Sequence, residues 1–190
     1  MHLLVILGWL EFRALHGLIE NFVRTKEQGY THYRVVYASW FQGMFGVKDA
    51  EERHLRSERN LYHDLMHAGI EPKFMPMPQS GHDEKGADVA LAIDAVQIGL
   101  EDKIDIAVLV TGDADFVPLV RVLMKQGIRV MAAYFEYQDG EHKSFINERL
   151  ANVCNYNLNI SEMEKDKDFK AMFKGLFRTL DEKKTETKTT

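Results

Sequence analysis

Between residues 108 and 120 the chain reads V-L-V-T-G-D-A-D-F-V-P-L-V, with Asp113 and Asp115 two residues apart after an apolar run. Like charges this close are costly unless a cation lies between them or one takes up a proton. A helix beginning near Phe116 offers a plain role for one of them, because Asp115 suits the N-cap and Pro118 is tolerated in the first turn. Two carboxylates ask for more, and a pocket of aspartate oxygens suits Mg²⁺ or Mn²⁺. A third acid, Asp88, follows Gly86 in E-K-G-A-D-V-A-L-A-I-D, at the start of a helix whose dipole alone would also favour it. Asp94 comes six residues later. That is about 120° round a helix, so it does not point where Asp88 points, and Asp88 is the better candidate.

The elements that position these acids follow from periodicity. A short strand is expected at 3–7, and a helix at 11–24 with Phe12, Leu15, Ile19, Phe22 and Val23 at helical spacing. T-H-Y-R-V-V-Y-A-S-W, 31–40, reads as a strand rich in β-branched and aromatic residues. A polar helix is expected at 49–68, with Leu55, Leu61, Leu65 and Met66 inward and Gly69 ending it. A proline-edged strand at 70–78 and a loop at 79–86 lead to a helix ending near residue 100. A buried strand at 104–110, a helix at about 116–126 and a strand at 128–134 complete the pattern. Strands alternating with helices predict a mainly parallel sheet with helices on both faces, that is, a three-layer Rossmann-like α/β domain. Ligands of such sheets sit beyond the carboxyl ends of the strands, where Asp113 and Asp115 fall.

The two acidic motifs together resemble those of the NYN-domain family, the PIN-like, LabA-like class of ribonucleases. The family pattern is a Lys-Gly-x-Asp helix start, a strand, then Ser/Thr-Gly-Asp-x-Asp-Phe-x-Pro-Leu. This chain carries it as Lys85, Gly86 and Asp88, then Thr111 through Leu119, in a match spanning about residues 11 to 155. The resemblance implies that Asp88, Asp113 and Asp115 are catalytic and hold Mg²⁺ or Mn²⁺, with Thr111 contributing a hydroxyl or orienting the loop. It implies metal-assisted hydrolysis of RNA phosphodiester bonds, with no His or Cys nucleophile.

One departure stands out. Family members begin with a strand ending in Asp-Gly-x-Asn, whose aspartate completes the site. Here the first strand reads L-L-V-I-L-G-W-L; if Gly8 matches the family glycine, Leu7 stands where that aspartate belongs, and the first acid is Glu11. Three accounts follow: a chain truncated at its start, a divergent three-acid site, or an inactive member that serves as a regulatory module binding RNA or protein. Glu11 is a conceivable substitute.

Other motifs carry less. His63 and His67 in H-D-L-M-H are four apart on a helix, a spacing zinc sites use, without the glutamate of H-E-x-x-H or an evident third ligand. A haloacid-dehalogenase-type phosphatase would place Asp-x-Asp-x-Thr directly after the first strand, and the first strand here has no such element. No Gly-x-Gly-x-x-Gly or P-loop pattern is present. Lys85, Arg121, Lys125 and Arg129 are candidate RNA contacts, each also readable as a solvated charge. Trp40 and Phe41 are candidates for base stacking, with a core role as the plainer reading.

The totals frame this. A chain of 190 residues, 45% hydrophobic and 28% charged, is long enough for one globular domain with a sizeable core. A net charge of −5 argues against coating nucleic acid by bulk electrostatics, though not against a local patch or a metal-bridged contact. The single Cys154 reads as a small core residue and points to a reducing compartment. The apolar run Leu3–Leu10 is too short to span a bilayer and lacks a basic leader, so a cytoplasmic protein without membrane contact is expected. The organisation expected is an NYN/PIN-like domain over 1–160, a C-terminal amphipathic helix over 161–180 and a disordered tail over 181–190. That helix carries Phe169, Met172, Phe173, Leu176, Phe177 and Leu180 on one face and Lys167, Lys170, Lys174 and Arg178 on the other. It is expected to pack on the domain or to support a homo-oligomer.

Overall fold

The computed structural model describes residues 9–44, 52–77, 86–101, 104–139 and 142–178. In chain order the strands are β1 (Trp9–Leu10), β2 (Ser39–Met44), β3 (Glu71–Pro76), β4 (Ile106–Val110), β5 (Arg129–Tyr134), β6 (Tyr137–Asp139), β7 (His142–Ser144), β8 (Tyr156–Asn159) and β9 (Phe177–Arg178). The α-helices are α1 (Phe12–Lys26), α2 (Glu52–His67), α3 (Ala87–Leu100), α4 (Val117–Lys125), α5 (Glu148–Val153) and α6 (Lys170–Lys174). Single 3-10 segments cover Ala114–Phe116 and Ile160–Glu164. The class is α/β with parallel strand pairing.

Contacts divide the chain into two units. The first takes the residues up to Arg34, Val108–Ala114 and those from Val130 onward. Its three-stranded sheet has the order β4-β5-β8, with β5 and β8 parallel and Met131 opposite Tyr156. α1 buries Phe12, Leu15, Leu18, Ile19, Phe22 and Val23, one stripe at 3.6-residue spacing. That stripe meets α6, where the Phe22 and Phe169 rings lie 6.3 Å apart. Leu18, Leu150, Leu158 and Leu176 are fully buried, and truncating any of them to alanine should cost about 2–5 kcal/mol.

The second unit takes Val35–Ala107 and Asp115–Arg129. β2 and β3 run parallel, Ser39 opposite Glu71 and Met44 opposite Pro76. α3 packs on β2, α2 on β3, and α4 on α3. Leu65, Leu119, Val120 and Leu123 are buried there.

Four expectations differ from what is observed. The strand expected at 31–40 begins only at Ser39. The aromatics before it are used otherwise: the Tyr33 hydroxyl donates to the Glu27 carbonyl and its ring lies under the Arg24 guanidinium, at 5.3 Å, so this stretch is tied to the end of α1. Met66, expected inward, is exposed, because the inward stripe of α2 runs through Leu65. The region after Tyr134 holds a β6–β7 hairpin, α5 and β8, none of which hydropathy suggested.

The expected helix over 161–180 is also broken. Asp166 Oδ1 accepts the Asp168 N–H at 2.8 Å, a local turn that competes with helix, and α6 is only five residues long. Leu176 is then buried, and Phe177–Arg178 pairs antiparallel with Trp9–Leu10. The strand expected at 3–7, the loop at 79–85 and the tail from 179 lie outside the described residues.

Candidate active site

Asp113 and Asp115 stand in the connection that follows β4, and both are exposed. The loop between is locked by its backbone. The Asp113 N–H donates to Thr111 Oγ1 at 3.2 Å, and the Asn147 N–H donates to the Gly112 carbonyl at 2.8 Å. A methyl group on residue 112 would come within 2.6 Å of the Phe145 carbonyl oxygen, so only glycine passes here without a shift. The Thr111 hydroxyl oxygen is thus engaged with the loop's own backbone. The segment that crowds Gly112 continues into α5, capped by Asn147, whose Oδ1 accepts the Arg149 N–H at 2.9 Å.

Asp115 lies inside the 3-10 turn, and the capping position of α4 is Phe116, which makes no side-chain cap bond. The plain reading of Asp115 as the N-cap is therefore not what the chain does with it. Asp88 lies in the first turn of α3, exposed, after Gly86 in a left-handed conformation at φ 93°. That conformation is cheap for glycine and lets the chain enter the helix sharply. Asp113 belongs to the first unit, and Asp88 and Asp115 to the second.

Exposed carboxylates are hard oxygen donors of the kind Mg²⁺ and Mn²⁺ take. Among the described residues, no three or more His, Cys, Asp or Glu side chains are grouped as a cage for an ion. Mg²⁺ rarely uses an all-protein cage, being held by one or two carboxylates together with water and substrate phosphate. The donors therefore fit in kind.

The remaining candidates are placed as follows. Arg121 and Lys125 stand one turn apart on the exposed side of α4. Lys85 lies outside the described residues. Arg129 is half-buried at the start of β5. Trp40 and Phe41 are half-buried in β2; the Trp40 indole N–H donates to Gln42 Oε1 at 3.0 Å, and the Lys73 ammonium sits 5.5 Å from the Phe41 ring centre. Burial pushes the Cys154 thiol up to about 11, so it is protonated at neutral pH and is no nucleophile. Glu11 is already engaged: its carboxylate accepts the Arg178 Nε–H at 2.5 Å in an ion pair.

Asp94 sits at the centre of a different cluster in the second unit. It receives the Lys73 ammonium at 2.5 Å, the Tyr37 hydroxyl at 3.2 Å and the Ser39 hydroxyl at 3.4 Å. Tyr37 also donates to Glu71 at 2.6 Å. Burial opposes the Lys73 charge, but its contacts with Asp94 and Tyr37 outweigh that and hold its pKa above the ordinary lysine value. The sequence signal that ranked Asp94 below Asp88 was its angle on α3.

The NYN domain family model matches residues 11–161, most of the chain, and the chain belongs to that family. The family is PIN-like, with a nuclease-like α/β fold. The match begins after β1, so it leaves out the stretch where the family's first-strand aspartate would fall. A solved structure of a Vibrio parahaemolyticus protein of unknown function is similar at 19% identity, with a TM-score of 0.53, over 85% of this chain and 82% of that one. That likeness shows the fold alone. Among curated proteins no relative matches. Among the described residues no helix is long and apolar enough to cross a membrane.

Proposed function

We propose that this chain is a metal-dependent endoribonuclease for Mg²⁺ or Mn²⁺, with Asp88, Asp113 and Asp115 as the acids that the family resemblance implies for the ion, used with water and substrate phosphate rather than as a closed protein cage. The observation that carries the reading is a pair of exposed carboxylates on a backbone-locked loop directly after β4, inside the family match. The bound ion would supply charge neutralisation at the phosphate and an activated water. Thr111 holds the amide of Asp113, which limits the positions its carboxylate can take. Gly112 lets that loop run against the backbone at Phe145. Arg121 and Lys125, one turn apart on the exposed side of α4, would contact RNA phosphates, and Lys85 is a further candidate from the sequence alone.

A second reading, a module that binds RNA or protein without cutting, has its own supporting observation. With Gly8 taken as the family glycine, Leu7 stands where its aspartate would be, and the first acid of the chain, Glu11, is paired with Arg178.

Cleavage of a labelled mixed-sequence RNA with Mn²⁺ or Mg²⁺, beside a chelated control and Asp113→Asn, tests the choice. Metal-dependent cleavage that the substitution abolishes supports the nuclease. Retention of RNA in a gel shift with no cleavage supports the second reading.

A further inference from the structure

Neither reading uses His63 and His67, and we propose that they form a bidentate site for Cu²⁺ or Ni²⁺. Both are exposed on α2, four residues apart, and their Nε2 atoms face each other at 3.0 Å. The ring centres are 4.2 Å apart, so the two imidazoles already share one face of the helix. Metal–imidazole bonds of about 2.0–2.1 Å to two nitrogens at this separation enclose an angle of about 95°. That is close to the cis angle of a square-planar or octahedral ion such as Cu²⁺ or Ni²⁺.

Three further features agree. The His63 side chain is 69% exposed, which leaves room for the waters that complete the shell. The Asp64 carboxylate lies 3.8 Å from His63 Nδ1, a nearby negative charge that favours a bound cation. His67 is the last residue of α2, and a cation is favoured at a helix C-terminus.

The test is calorimetric titration of the tag-free full chain with NiCl₂, repeated on His63→Ala, His67→Ala and His67→Gln, with His32→Ala as an exposed control. Loss of one of two chelating rings should weaken binding by about tenfold or more. The titrations are run with excess Mg²⁺ to occupy the acidic residues of the proposed function, and His32→Ala should then bind like the native chain. Ni²⁺ should also raise the Tm of the native chain and not that of His67→Gln, because the ion ties two helical turns. Equal binding by the native chain and the His63 and His67 variants would overturn the site, as would an equal loss in His32→Ala.

Discussion

Asp94 and Asp113 are both aspartates singled out by the sequence, and they differ in exposure and in what the structure fixes around them. Asp94 is mostly buried, its side chain 19% exposed, and Lys73, Tyr37 and Ser39 all donate to it. Asp113 is exposed, and what is fixed is the loop beneath it, through Thr111, Gly112 and Asn147. A carboxylate neutralised by neighbouring side chains serves stability. Under the proposed function the exposed Asp113 carboxylate would meet an outside partner, and a loop already held in place limits what binding must order.

The contrast can be broken by substitution, and the largest effect is expected at Asp113. Asp113→Asn should lower metal-dependent RNA cleavage by about 10²-fold or more. The same change should leave stability within about 0.5 kcal/mol, since the side chain is exposed; a urea melt beside the cleavage assay reads both. Gly112→Ala should do the reverse of a clean active-site change. Its methyl would meet the Phe145 carbonyl, so stability should fall by about 2–3 kcal/mol, with activity falling as the loop shifts.

Lys73→Met sharpens the other side. It strands the Asp94 charge in a partly covered site, and urea unfolding should show a loss of about 1–2 kcal/mol, less than for a fully buried pair. Because folding raises the Lys73 pKa, its contribution is fully present below the ordinary lysine value of 10.5 and is lost as pH rises toward the folded value. The gap between native chain and variant should therefore be flat from pH 7 to about pH 10 and narrow above it.

The smallest effect is expected at His16, whose pKa burial lowers, against the pull of Glu20. Above the ordinary value of 6.5 both folded and unfolded chains hold it neutral; below it the unfolded chain takes the proton first, and stability drops. Melting at pH 7.5 and 5.5 should show a fall of about 1 kcal/mol or less that His16→Gln reduces.

Much of this was legible in the residues. The 3.6 spacing of Leu15, Ile19 and Phe22 located α1, and Gly86 and Gly69 marked helix ends because only glycine takes their positive φ cheaply. The acids after β4 were visible because strand, glycine and paired aspartates are adjacent in sequence. What escaped depends on long-range contact. Nothing local says that a Cβ at residue 112 would come within 2.6 Å of a carbonyl oxygen 33 positions later, or that Glu11 is paired with Arg178. The apolar spacing from Phe169 to Phe177 fits a helix well, yet Asp166 turns the chain and Phe177 pairs with Leu10. Periodicity records which residues are apolar and not which partner they bury against.

The most direct measurement is the Mn²⁺-dependent RNA cleavage rate of Asp113→Asn and Asp94→Asn side by side, each corrected for its folded fraction. The account predicts that Asp113→Asn loses cleavage while Asp94→Asn, though less stable, keeps the native rate. Cleavage that survives Asp113→Asn, or that Asp94→Asn removes to the same degree, would contradict it.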